Sequence, residues 1–171
     1  SLIVTMANKY GLERGKFLDT LAGTIFPSGN SAPSQAQIAA FLVVANNYSL
    51  NPFIKEIYAF PGKAGGIVPI VSVDGWLTII NRQPQLDGIE FVDHIDKDGK
   101  LSAVTAKIYR KDRSHATEVT EYMSECYRNT DPWNKYGSRM LRHKALIQGA
   151  RYAFGLAGIY DPDEAERIVE A

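Results

Sequence analysis

A single cysteine, Cys126, stands in 171 residues. That excludes an internal disulfide, and no second thiol is available for a cysteine zinc site. Such a chain suits a reducing compartment, and cytoplasm is the expected location. No run of 18 apolar residues occurs, so no membrane span is expected. Residues 1–10 lack a basic start, a long apolar stretch and a small-residue cleavage site, and no secretory signal is read there. Neither charge sign is in excess, with 19 Lys and Arg against 19 Asp and Glu. Neutrality argues mildly against a nucleic-acid partner unless the charges are segregated. Hydrophobic residues make up 45% and charged residues 22%, a balance that excludes global disorder.

Nucleotide, metal and nucleophile motifs are also missing. Gly62, Gly65 and Gly66 crowd one loop, but Ile67-Val68 follow where a phosphate-binding loop needs Gly-Lys-Ser/Thr. Asp93, Asp96 and Asp98 precede Gly99, yet a calcium loop in that frame would place His94 at position 1 and Thr105 at position 12. A polar hairpin turn accounts for those acids. His94, His115 and His143 are far apart, and His143 falls on an apolar helix face, as a core histidine does. No Gly-x-Ser-x-Gly is present, and Cys126 has no motif around it. No cofactor or metal is implied.

What is present reads as alternating helix and strand signals. Residues 2–12 and 13–26 form two helices broken at Tyr10-Gly11, with Phe17, Leu18, Leu21 and Ile25 at helical spacing on the second. Ser34 caps a third helix, with Gln37 at the capping-box position and Ile38, Phe41, Leu42 and Ala45 facing inward. Asn51-Pro52 ends that region. Residues 53–60 and 67–73 are strand-like and flank glycine-rich 61–66, a hairpin with Lys63 at a flexible tip. Asp74 is the expected cap of a short helix that stops before Gln83-Pro84. Residues 88–95, 101–111 and 116–122 suit three antiparallel strands, with turns at Asp98-Gly99 and at 112–115. A long helix spans 138–154 and ends at Gly155 and Gly158, and Asp161 caps a last helix with Glu164 three residues on. The fold class is therefore α+β: helices packed on a hairpin and a three-stranded antiparallel sheet, in one domain over 1–171.

The charge is segregated. Between positions 132 and 160 lie Lys135, Arg139, Arg142, Lys144 and Arg151 with no acid, whereas 161–171 carry five acids and only Arg167. On a helical wheel Met140, His143, Ile147, Ala150 and Phe154 share one face, widened by Leu146 and Ala153, and Leu141, Ala145 and Tyr152 lie nearly opposite. A helix apolar on both sides is largely buried. Its polar stripe is narrow: Lys144, Gln148 and Arg151 at i, i+4, i+7. Cations there need partners or a wet groove. Two arrangements satisfy that need: a groove floor holding a phosphate chain, or acids elsewhere in the fold, the final helix among them. Arg139 and Arg142 point to other sides, as solvated surface charges do. Lys55 and Lys63 flank the first hairpin. Lys107, Arg110, Lys111 and Arg113 lie on or beside the middle strand, as on a solvated sheet face. Trp133 and Tyr136 precede the basic helix, where an aromatic ring either stacks on bases or, for Trp133, anchors a loop to the core.

Residues 51–61 (NPFIKEIYAFP), 66–76 (GIVPIVSVDGW), 108–112 (IYRKD) and 139–168 (RMLRHKALIQGARYAFGLAGIYDPDEAERI) resemble the segments that mark the Bet/RecT family of phage single-strand annealing proteins. The likeness runs collinearly over most of 34–171 and is weak before Ser34. It implies a recombinase that needs no ATP and catalyses no bond-making or bond-breaking. Such a protein coats single-stranded DNA exposed by a partner exonuclease and pairs it with a complementary strand. It holds the annealed duplex in a large homo-oligomeric ring or helical filament, inside a bacterial host. The likeness places DNA-contacting positions on Lys144 and Arg151, with Arg139 and Gln148 in the same stretch. It also matches Lys55 and Lys63 near the hairpin and Arg128 ahead of the last segment. Lys135, from the acid-free basic stretch, and Trp133, from its stacking chemistry, are further candidate DNA contacts. Ser138 stands where the family pattern has a lysine, Pro27 and Ser28 replace another basic position, and the loop 129–133 is shorter. The family's C-terminal domain, which meets the exonuclease and the host single-strand binding protein, is expected to lie beyond residue 171. The rival readings are a metal-dependent nuclease using Asp74, Asp87 and Glu90, and a structural oligomer whose basic helix pairs with a neighbour's acidic tail.

Overall fold

The computed structural model describes residues 1–171. They form two compact units, Ser1–Ile79 with Gly158–Ala171, and Ile80–Ala157. The elements are α+β, as expected: eight α-helices, a two-stranded sheet and a three-stranded sheet, both antiparallel. No helix is long and apolar enough to cross a membrane.

In the first unit, α1 (Leu2–Lys9) and α2 (Arg14–Thr24) are separated by Gly11 at φ +68, a left-handed backbone that suits glycine. Phe17, Leu21 and Ile25 are buried and Leu18 half-buried. The capping box on α3 (Gln35–Asn47) is complete: Gln37 N–H donates to Ser34 Oγ (3.1 Å), and Ser34 N–H to Gln37 Oε1 (2.9 Å). The Gln37 amide also donates to the Gly66 carbonyl at 3.0 Å, fixing the start of α3 to the hairpin. That hairpin pairs β1 (Ile57–Pro61) with β2 (Ile67–Val71). Residues 53 and 54, expected at the strand's start, instead belong to a 3-10 turn over Pro52–Ile54. Asn51 is its cap and Lys55 follows at φ 57. Pro52 sets the turn's φ and lacks the N–H a ladder needs.

The helix α4 (Val73–Asn81) contains the boundary between the units and begins one residue earlier than its expected cap. Ser72, not Asp74, is the capping side chain: its Oγ accepts the Gly75 N–H at 3.1 Å. Asp74 lies in the first turn, exposed. At the other end of the chain, Asp161 and Glu164 form a full capping box on α8 (Pro162–Glu170). Tyr160 bridges to β2 in parallel, its carbonyl accepting the Val71 N–H at 2.8 Å. Val68, Ile70 and Ala165 are buried together, with Tyr58, Phe60 and Tyr160 against them.

In the second unit, β3 (Leu86–Ile95), β4 (Leu101–Arg110) and β5 (Thr117–Tyr122) form a meander. The β3–β4 turn explains the acids read there. Asp96 Oδ1 accepts the N–H groups of Asp98 (2.9 Å) and Lys100 (3.0 Å), and Gly99 takes φ +79. Strand β4 is buried on both faces. Val104, Ala106 and Ile108 alternate with Ala103 and Thr105. Thr105 Oγ1 is hydrogen-bonded to His94 Nε2 (2.8 Å) and Thr120 Oγ1 (2.6 Å), so one polar line crosses all three strands. Two short helices, α5 (Met123–Cys126) and α6 (Asp131–Lys135), were not read from the sequence; each is too brief for a periodic signal. They lead into α7 (Gly137–Phe154), which Gly155 ends at φ +67.

Candidate nucleic-acid interface

The basic helix α7 rests on the sheet through its smallest residues. A Cβ at Gly149 would meet Ile108 Cδ1 at 3.0 Å, so a side chain there would push the Ile108 methyl aside by a few tenths of an ångström. Leu141 and Ala145 join Val104, Ala106, Cys126 and Trp133 in one buried cluster. Leu146, Ile147, Ala150 and Ala153, on other sides of the same helix, are buried as well. The helix is therefore covered on both sides, as its wheel implies. Tyr152 departs from that pattern: grouped by the wheel with Leu141 and Ala145, it is 73% exposed.

Lys144, Gln148 and Arg151 form the stripe that remains, each half-buried. Arg151 Nη1 donates to Gln148 Oε1 at 3.2 Å, which holds the guanidinium along the helix surface. Arg139 is exposed and lies over the Tyr136 ring at 4.6 Å. Such a stack keeps a cation flat while leaving its N–H groups in water. Arg142 is less available: it reaches Asp93 at 3.3 Å and covers the Phe91 ring at 5.1 Å. Lys135 pairs loosely with Asp131 at 3.9 Å, both well exposed, an arrangement worth little. Arg128 is half-buried on the segment before α6.

Trp133 corrects one sequence-based possibility. It is 4% exposed, inside the cluster under α7, with Tyr127 edge-on at 6.4 Å between centroids. It anchors the loop, and its ring cannot meet a base without leaving the core. Tyr136 is 51% exposed, with its ring under the Arg139 guanidinium.

Arg110 has a role that charge counting could not reveal. Its Nε and Nη2 donate to the two Asp112 oxygens, both at 2.8 Å, and its Nη1 donates to the Ala153 carbonyl at 2.6 Å. The guanidinium also lies 5.5 Å from the Phe154 ring centroid. It thereby satisfies an orphan carbonyl in the last turn of α7, where the helix dipole favours a cation. The Arg110 hydrogen bond holds the Asp112 carboxyl below its usual range and raises the guanidinium in turn. Lys107, half-buried, pairs across strands with the exposed Glu118 at 3.8 Å.

Lys55 and Lys63 belong to the other unit, and both are exposed. Lys55, in its left-handed conformation, borders an open cavity of about 800 Å³ with Phe26, Tyr58, Phe60 and Glu166. Burial, then the nearby Glu166 and Asp161, push the Tyr58 hydroxyl pKa up. Lys63 opens the 3-10 turn at the hairpin tip. The carboxylates of the nuclease alternative are divided between the two units, Asp74 in the first and Asp87 and Glu90 in the second. Asp74, Asp87 and Glu90 are each exposed, and no three His, Cys, Asp or Glu side chains lie close enough to hold a metal. Hydrogen bonding to Glu90 raises the Tyr109 hydroxyl pKa, so that carboxylate is engaged within the sheet.

A family model described as RecT family matches residues 18–171. The chain is also similar to Recombination protein bet of Escherichia phage lambda, at 53% identity over 165 residues. That match covers 91% of this chain and 60% of the phage protein, so the chain spans about 60% of that relative's length.

Proposed function

The chain belongs to the RecT family, and from that premise we propose that it binds single-stranded DNA and anneals complementary strands in recombination, without ATP. The observation that carries this reading is the stripe Lys144–Gln148–Arg151, half-buried on a helix otherwise covered on both sides. Annealing requires one strand to be held by its backbone while base edges stay open for pairing. Cations on phosphates do this without reading sequence. Gln148 orients Arg151 along the helix, and Arg110 secures the turn on which Arg151 stands. Arg139, Arg128 and Lys135 extend the phosphate contacts within the unit that carries α7, and Lys55 and Lys63 are phosphate contacts of the other unit. The protein acts as a large homo-oligomer, ring or filament, in which adjacent protomers bind one strand cooperatively. It works beside a phage exonuclease and the host single-strand binding protein, in the bacterial cytoplasm.

The test mixes two complementary fluorescent oligonucleotides with the protein in the presence of a chelator and no nucleotide. Duplex formation should be accelerated over the protein-free rate and slowed by Lys144→Ala with Arg151→Ala. Annealing no faster than the protein-free control would refute the reading, and shortened strands would favour a nuclease.

A further inference from the structure

Four aromatic side chains are exposed, Tyr122, Tyr127, Tyr136 and Tyr152, and all lie in the unit Ile80–Ala157 that carries the basic helix. Two of these rings are engaged. The Tyr127 hydroxyl donates to Asn134 Oδ1 at 2.6 Å and its ring meets Trp133, while Arg139 covers the Tyr136 ring. Tyr122 lies on β5, away from the helix in sequence. Tyr152 is the most exposed, at 73%, and its ring stacks on no other side chain.

Its place on α7 is specific. At about 100° per residue, Tyr152 lies within about 20° of Leu141 and Ala145, both fully buried. The face that carries it is therefore covered along its first half and open at its C-terminal end. Side chains three and four apart on a helix are neighbours, with Cβ atoms about 5–6 Å apart. Gln148 is thus flanked by Lys144 on one turn and by Arg151 and Tyr152 on the next. An uncovered aromatic ring and two cations share one glutamine neighbour.

We propose that Tyr152 is a stacking platform for an unpaired nucleobase, set beside the Lys144–Gln148–Arg151 stripe that holds the strand's phosphates. This rests on the single-strand binding reading above. A cation stripe alone grips the backbone and leaves the bases to rotate. A ring one helical step away takes the face of a base, leaving its Watson–Crick edge outward and available to a complementary strand. Stacking of this kind tolerates any sequence, which annealing demands. The ring is a binding element for the single-stranded form: once a base is stacked within a duplex, both its faces are occupied.

The test compares a thymidine oligonucleotide with an abasic oligonucleotide of equal length, which keeps the phosphates and lacks the bases. The full chain should prefer the base-bearing strand by on the order of 5- to 150-fold per stacked base. Tyr152→Ala should erase most of that preference and leave abasic binding unchanged, and Tyr152→Phe should retain it. Lys144→Ala should weaken both strands alike. As a second measurement, Tyr152→Trp places an indole in the site while Trp76 and Trp133 stay buried at 0% and 4% exposed. Its fluorescence should be quenched by the base-bearing strand and not by the abasic one. The proposal is overturned if Tyr152→Ala weakens both strands equally or neither. A change in assembly size with the base preference intact also overturns it, since the ring would then face a second copy. If the unaltered chain binds neither strand, the annealing reading itself fails.

Discussion

Replacing Lys144 and Arg151 together by alanine should remove the proposed phosphate contacts with little expected change to the fold. Both side chains are half-buried on the polar stripe of α7, outside the cluster of Leu141, Ala145 and Trp133 that holds the helix down. The residues are seven apart, and a helix rises about 1.5 Å per residue, so they stand about 10.5 Å apart along the axis. At a rise of about 3.4 Å per nucleotide, that span covers about three steps of a strand. The two cations therefore meet different phosphates, and their contributions should add. Each phosphate neutralised on a single strand contributes about 0.7 to the slope of log affinity against log salt. Losing two should flatten the slope by about 1.4. Over a fourfold rise in salt, from about 50 to 200 mM, that difference amounts to about sevenfold in affinity. The double variant should be handicapped about seven times more at the lower salt than at the higher. Anisotropy of a labelled oligonucleotide at four salt concentrations measures this directly. Arg142→Ala is the control. That guanidinium is occupied by Asp93 and Phe91 and should alter the slope less. Parallel lines for the double variant and the unaltered chain would refute the groove reading, whatever the absolute affinities.

Four further outcomes follow from local geometry. Gly75→Ala should destabilise by about 1–3 kcal/mol or more in urea titration, because its Cβ would fall 2.5 Å from the Glu56 carbonyl oxygen and 2.7 Å from Val71 Cγ1, and backbone cannot yield cheaply. Ser72→Ala should cost about 1 kcal/mol by removing the cap of α4, while Asp74→Ala should cost less, reversing the order expected from sequence. Trp133→Ala should cost about 3–5 kcal/mol of stability, yet at a temperature where the variant remains folded its affinity for single strands should match the unaltered chain. Asp112→Asn should remove a pH-dependent contribution. The carboxyl is depressed below its ordinary value of 3.8 by Arg110, so the pair stabilises the folded state above that value and ceases to as pH falls through the depressed one. Denaturation at a series of pH values should show the gap between the two proteins closing only in that acid range.

Local signals in the chain determined its element order and class. Ser34 with Gln37, and Asp161 with Glu164, are reciprocal caps whose partners lie three residues away, so spacing alone specifies them. The turn at Asp98-Gly99, the stop at Gly155 and the α+β order are local in the same sense. The two-sided apolar pattern of α7, and the stripe Lys144–Gln148–Arg151 left between, follow from its period. Tertiary structure decided whatever depends on a partner distant in sequence. A wheel gives direction but not coverage, so it could not tell that Leu141 and Ala145 lie under the sheet while Tyr152 stands in water. Nor does composition separate an aromatic ring that anchors from one left exposed, and Trp133 and Tyr136, three residues apart, went opposite ways. Arg110 looked like one cation among several on a strand. Its hold on the Ala153 carbonyl, 43 residues away, exists only once β4 and α7 are packed. The physical reason is range: caps, turns and periodicity act within a few residues, whereas burial and the partners of a charge are set by the elements that fold against it.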